Sequence, residues 1–132
     1  MANQETIDRV LRLNVWAVVG LTSATSRPAY GVAEFLQRHG KQIVPVNPLG
    51  EPVHGQTGYR TLADIPFPVD VVDIFRRADA AGAHVDEAIS VGARAVWLQL
   101  AVIDEAAAAR AAAAGLDVVM DRCPAIEWRA AG

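Results

Sequence analysis

The residues best suited to chemistry are arginines and small hydroxylated side chains set just after apolar runs. Gly20-Leu21-Thr22-Ser23-Ala24-Thr25-Ser26-Arg27 follows the run Val15 to Val19 and leads into a helix that opens at Pro28. Backbone N–H groups in such a loop, the positive end of the helix dipole and the forked guanidinium of Arg27 together make an anion site. Ser and Thr before a helix are equally what ordinary capping requires, so capping alone is the competing reading of this loop. Asn47-Pro48, Phe75-Arg76-Arg77 and Gln99-Leu100-Ala101 stand at or just past the ends of three later apolar runs.

Several other chemistries lack their residues. Gly20 has no glycine two positions on, and Val46-Asn47-Pro48 offers no Asp or Glu to hold a ribose 2′-hydroxyl, so the dinucleotide fingerprint is missing. No Gly-Lys-Ser/Thr occurs, which excludes a P-loop. Gly20-Leu21-Thr22 supplies no acidic cluster for magnesium, so Asp73 is not read as a phosphoacceptor. Asp70, Asp73 and Asp121 have no neighbouring nucleophile and are read as turn and N–H acceptors. His39 falls in a last helical turn before Gly40, His54 in an irregular excursion and His84 within a helix, without metal-ligand spacing. Cys123 is read as a partly buried structural thiol.

Strand-like and helix-like segments alternate along the chain and must position these residues. A short amphipathic helix is predicted over Thr6 to Leu13 and a strand over Val15 to Val19, whose unbroken apolar character suits a strand covered on both faces. Pro28 to His39 reads as a helix with Pro at a tolerated first-turn position and Gly40 as its left-handed stop. Gln42 to Val46 is the second strand, and Leu49 to Tyr59, with four Gly or Pro residues, is an excursion with a short edge strand. A helical turn at Leu62 to Ile65 precedes the third strand, Val69 to Phe75. Asp79 to Val91 is a helix, Ala95 to Leu100 the fourth strand, Asp104 the cap of an alanine-rich helix and Asp117 to Asp121 the last strand. The tail from Arg122 wraps back onto the body. This pattern predicts an α/β fold: a Rossmann-like open parallel sheet of about five strands with helices on both faces, a three-layer sandwich. In such a sheet, ligands sit outside the carboxyl ends of the strands.

Composition bounds the rest. The 132 residues, 52% of them hydrophobic, are expected to form one domain spanning 1–132 with a filled core. With 12 Lys+Arg against 15 Asp+Glu the formal charge is −3, and no basic stripe points to nucleic acid or an anionic membrane. A single cysteine fits a reducing compartment, and the polar, acidic start is unlike a signal peptide, so a cytoplasmic location is expected.

Taken together, several segments resemble the stand-alone CoA-binding protein family, whose fold is similar to the amino-terminal CoA-binding domain of the succinyl-CoA synthetase alpha subunit. They are Gly20-Leu21-Thr22, Arg27 to Val32, Val44 to Pro48, Val69 to Arg77, Ala95 to Leu100 and Met120 to Cys123, in order over about Val15 to Glu127. The resemblance implies coenzyme A or an acyl-CoA as the ligand, bound by a monomer or a homodimer. By position it implies contacts from Gly20, Leu21, Thr22 and Arg27, from Asn47 and Pro48, from Phe75, Arg76 and Arg77, and from Gln99, Leu100 and Ala101. The chemistry is compatible: a pyrophosphate and a 3′-phosphate suit the arginines and backbone donors, and a pantetheine arm suits an apolar groove.

It implies no catalytic constellation, since the synthetase keeps its phosphorylated histidine in a separate domain. The alternatives are a small NAD(P)- or nucleotide-dependent oxidoreductase or transferase, and an interaction protein with a vestigial pocket. The family commonly has Gly where this chain has Ala101 and a hydroxyl residue where it has Ala29; a methyl at 101 costs affinity if the backbone there takes a positive φ. With a thiol ligand in view, Cys123 acquires a second reading, a mixed disulfide with CoA.

Overall fold

The computed structural model describes residues 2–131. Five parallel strands form one sheet: β1 (Val15–Val19), β2 (Gln42–Val46), β3 (Val71–Ile74), β4 (Ala95–Leu98) and β5 (Asp117–Val119), in the order β2-β1-β3-β4-β5. Five helices accompany them: α1 (Gln4–Leu11), α2 (Pro28–Arg38), α3 (Ala78–Ser90), α4 (Glu105–Ala113) and α5 (Pro124–Ala131). A single 3-10 turn spans Leu62–Asp64. None of the helices among the described residues is long and apolar enough to cross a membrane.

Side-chain alternation along the strands divides the core into two layers. Trp16, Val18, Ile43, Val71, Ala95, Trp97 and Val119 point to one side, where Ile7, Val10 and Leu11 of α1, Ala33 and Leu36 of α2 and Trp128 of α5 cover them. Ala17, Val19, Val44, Val46, Val72, Ile74, Val96 and Leu98 point to the other, beneath Ala81, Val85 and Ala88 of α3 and Ala107 and Ala111 of α4. The small residues of α4 let it lie close to the sheet and to α3: a Cβ on Gly82 would lie 2.9 Å from Asp104 Oδ2. The alanine run is therefore a packing surface.

The first two strands have the bounds that their apolar runs predict, while later ones are shorter. β3 begins at Val71 because Asp70 turns outward, accepting the Val15 N–H on its carboxylate at 3.0 Å. β4 ends at Leu98 and β5 at Val119, since Ala101 and Asp121 both take left-handed φ values of 67° and 59°. The expected edge strand in the excursion is not a strand: it makes only the isolated bridges Val46↔Tyr59 and Val53↔Gln56. The tail, in contrast, forms α5. Its Trp128 meets the His39 ring edge-on at 5.2 Å and lies under the Lys41 ammonium, while Arg129 stands 4.7 Å over Phe35.

Asp73 departs most from expectation. It accepts no N–H; it is fully buried in β3, paired in register with Val18 and Trp97, and neither carboxyl oxygen has a hydrogen-bond partner. Burial alone pushes this carboxyl well above the usual range and favours its protonated form in the native state. The unfolded chain ionises the same group near pH 4. Native chains thus keep a proton that unfolded chains have lost, and Asp73 makes stability fall as pH rises from about 4 toward the folded value. Asp73→Asn, which cannot ionise, should melt above the parent at pH 7, with the gap narrowing toward pH 4 in calorimetric scans. A gap that stays constant with pH would show that ionisation of Asp73 does not matter.

Candidate ligand-binding cleft

β1 and β3 are neighbours whose following segments leave on opposite faces, α2 on one and α3 on the other, and a crevice opens between them at the carboxyl end of the sheet. Gly20 forms its floor. Its φ of 95° and the 2.5 Å that would separate a Cβ from the Phe75 carbonyl oxygen leave room only for glycine.

The crevice has two neighbouring parts. One, of about 620 Å³, is lined by Gly20, Thr22, Arg27, Asn47, Pro48, Arg60, Phe75, Arg76, Arg77 and His84 among others. The second, of about 350 Å³, is mostly apolar and lined by Gly20, Arg27, Pro28, Ala29, Val32, Phe75, Gln99, Leu100, Val102 and Cys123. Gly20, Arg27 and Phe75 line both, so the two parts adjoin. Such volumes are typical of small-molecule sites.

The charged part concentrates positive charge on a chain that is acidic overall. Four arginines line it, and among the described residues Arg27, Arg60 and Arg76 make no ion pair, while Arg77 meets Asp79 at 3.4 Å between two largely exposed side chains. Neither Arg27 at the amino end of α2 nor Arg77 at that of α3 caps its helix with a side chain, whereas Asn3 caps α1 and Asp104 caps α4. Two helix dipoles therefore present uncapped positive ends to the crevice. The first loop contributes less than its sequence suggests. Ser23 N–H donates to Glu51 Oε1 at 2.7 Å, Ala24 N–H to Thr22 Oγ1 and Arg27 N–H to the Ala24 carbonyl, so these amides are already satisfied.

Asn47 ties this side together. Buried at the end of β2, it donates from Nδ2 to the carbonyls of Leu21 (2.9 Å) and Glu51 (3.0 Å) and accepts the Glu51 N–H at 2.8 Å. It lines the cleft, yet its amide is spent on joining the first loop to the excursion. The excursion then returns beside β2, with Tyr59 N–H on the Pro45 carbonyl and Asn47 N–H on the Tyr59 carbonyl, which brings Arg60 to the cleft. A Cβ on Gly58 would fall 2.0 Å from the Glu51 carbonyl oxygen, so this return path also demands glycine.

Ten of the residues singled out from the sequence thus line these two adjoining cavities. Two do not. Leu21 is fully buried in the α1–α2 core and offers only its backbone, while Ala101 is exposed outside both cavities, its N–H on Asp121 Oδ1 at 2.7 Å. Sequence reasoning missed Arg60 and His84. His84 was accessible to it, standing two helical turns after Arg77 and therefore on the same face; Nδ1 is paired with Glu87 at 2.9 Å and Nε2 lies 3.4 Å from Arg76 Nη1. Arg60 depended on the return of the excursion, which nothing in its local pattern announces.

An arginine-lined cleft beside an apolar groove, at the switch point of a Rossmann-like sheet, lies where open α/β sheets hold their ligands. Comparison specifies the family: residues 14–129 match the CoA binding domain, and the chain belongs to that family. Among curated proteins it is 32% identical over 107 residues to the uncharacterized protein YneT of Bacillus subtilis (strain 168), covering 81% of this chain and 79% of the other. Among solved structures, a hypothetical protein of Pyrococcus horikoshii OT3 is 35% identical with a TM-score of 0.93, covering 99% of this chain and 94% of that one. A Thermus thermophilus protein is 32% identical with a TM-score of 0.90 and 98% coverage of both chains.

Two substitutions test the geometry. Asn47→Ala removes one buried and two part-buried hydrogen bonds and leaves the Leu21 and Glu51 backbone groups without these partners, and should lower unfolding stability by about 2–4 kcal/mol in denaturant titrations. Ala101→Gly should instead raise stability, by up to about 1 kcal/mol, because the relief of a left-handed alanine outweighs the added freedom of the unfolded chain. A destabilised Ala101→Gly protein would mean that the turn after β4 depends on the methyl group.

Proposed function

We propose that this chain acts as one CoA-binding domain, holding coenzyme A or an acyl-CoA across the carboxyl ends of β1, β2, β3 and β4. The observation that carries the reading is that the arginine-lined cleft and the apolar groove lie side by side, sharing Gly20, Arg27 and Phe75. A molecule with phosphates at one end and a long amide-bearing arm at the other needs both environments in that order. Arg27, Arg60, Arg76 and Arg77 would hold its phosphates, helped by the uncapped ends of α2 and α3.

Phe75, Val32 and Leu100 would cover the arm. Gln99 fits that role chemically: it is 7% exposed, its Oε1 is buried with no partner, and a rotation of the side chain toward the groove would offer that acceptor to an amide N–H of the arm. Membership of the CoA binding domain family supports the same ligand. When bound, that ligand supplies a thiol or a thioester; the residues of this chain orient it and screen its charge. The proposal is of binding rather than turnover.

Thermal unfolding with CoA, acetyl-CoA, NAD, NADP and ADP at matched concentrations tests it. A CoA species at about 100 times its dissociation constant should add about 2.7 kcal/mol of stability, and the dinucleotides should not. Arg76→Ala should weaken CoA roughly tenfold to a hundredfold, the worth of a hydrogen bond to a charged group. A shift with NAD or NADP alone would replace the proposal with a dinucleotide enzyme.

A further inference from the structure

Cys123 is the one thiol of the chain, and the fold places it on the wall of the apolar groove. It lies between the end of β5 and the first residue of α5, fixed from both sides. Trp97 Nε1 donates to the Arg122 carbonyl at 2.9 Å, and the Cys123 carbonyl accepts the Glu127 N–H at 3.0 Å. The residue is 8% exposed, and it borders the groove but not the arginine-lined cleft.

Gln99, on the same wall, is an independent sign that the groove is built for an amide-bearing occupant. More than nine-tenths buried, it keeps a side-chain carbonyl oxygen that no group in the protein satisfies. Leaving such an acceptor unpaired costs about 1–3 kcal/mol, and a rotation of the side chain toward the groove would let an amide donor there recover it.

From this placement we infer that Cys123 is a thiol-exchange site, forming a mixed disulfide with the thiol end of a ligand lying in the groove. The inference rests on the reading of the cleft and groove as a CoA site. The co-reactant is a disulfide of that ligand, such as the symmetric CoA disulfide. The Cys123 thiolate attacks one of its two sulfurs, and the old S–S bond breaks as the Cys123–ligand bond forms. The expelled thiolate takes up the proton that Cys123 gave up. Cys123 is oxidised, the departing half is reduced, and no other electron acceptor is required. The bound form is then covalent under oxidising conditions and released by an added thiol.

Intact-mass spectrometry of the native protein tests this. With CoA disulfide, one adduct per chain is expected, lost in Cys123→Ser and suppressed by excess acetyl-CoA, which fills the site without a free thiol. Labelling should run at least about tenfold faster than with glutathione disulfide, which lacks the nucleotide and so gains nothing from being held in place. Gln99→Leu should slow labelling by CoA disulfide and leave that by glutathione disulfide unchanged. Equal rates with the two disulfides, or no protection by acetyl-CoA, would make Cys123 an ordinary accessible thiol and overturn the inference. Absence of an adduct while CoA still raises the melting temperature would overturn it and leave the binding proposal standing. Absence of both would remove the binding proposal as well.

Discussion

The cleft depends on the side chain of Asn47. At the end of β2 the chain must leave the sheet through Pro48, and the segment that follows has little apolar surface with which to fix itself. Asn47 solves this with one buried amide whose donors and acceptor all face backbone, coupling Leu21 in the first loop to Glu51 in the excursion. Glu51 extends the clasp by taking the Ser23 N–H. The first loop and the excursion are therefore a single rigid rim, and the arginines that face each other across the cleft are spaced by it. A buried polar network of this kind is stabilising only when every member is satisfied, as here.

The two parts of the crevice differ in how they are made. The charged part is a surface feature: exposed guanidiniums, two open helix ends and solvent. The groove is an extension of the core, bounded by α2 residues and by the turn after β4, with few polar atoms. Arg27 belongs to both because it stands at the point where α2 begins, next to Pro28 and Ala29 of the groove wall. That division matches a ligand of two unlike halves, and explains why residues from four strand ends and the start of α5 must meet.

Much of this could be read from the sequence, for reasons that differ by region. β1 and β2 are unbroken apolar runs closed by Gly20 and by Asn47-Pro48, so both the pattern and the stop were visible. The residues after those runs followed from the rule that parallel sheets bind at their carboxyl ends. The placement of α5 was not legible: its pattern is weak, and it is fixed by Trp128 against His39 and Lys41 and by Arg129 against Phe35, contacts more than eighty residues apart in the chain. Asp73 was misread because a carboxylate near a strand end usually finds an N–H, and only the register that sets it between Val18 and Trp97 shows that it has none. Ala101 was informative in the other direction: the resemblance implies glycine there, for a close approach of the ligand or for a positive φ, and the φ is 67°.

The strand order has one further consequence, for the way the molecule assembles. β1 pairs with β2 soon after it is made, but its other neighbour is β3, with Trp16 opposite Val71 across more than fifty intervening residues. Closing that pair brings together the two loops that bound the crevice, so the binding site comes into being with the longest-range contact in the sheet and not before. A chain halted with only β1, α2 and β2 in place has no cleft to offer. Any ligand held there touches both halves of the sheet at their seam, and its binding therefore favours the chain in which β1 and β3 are paired.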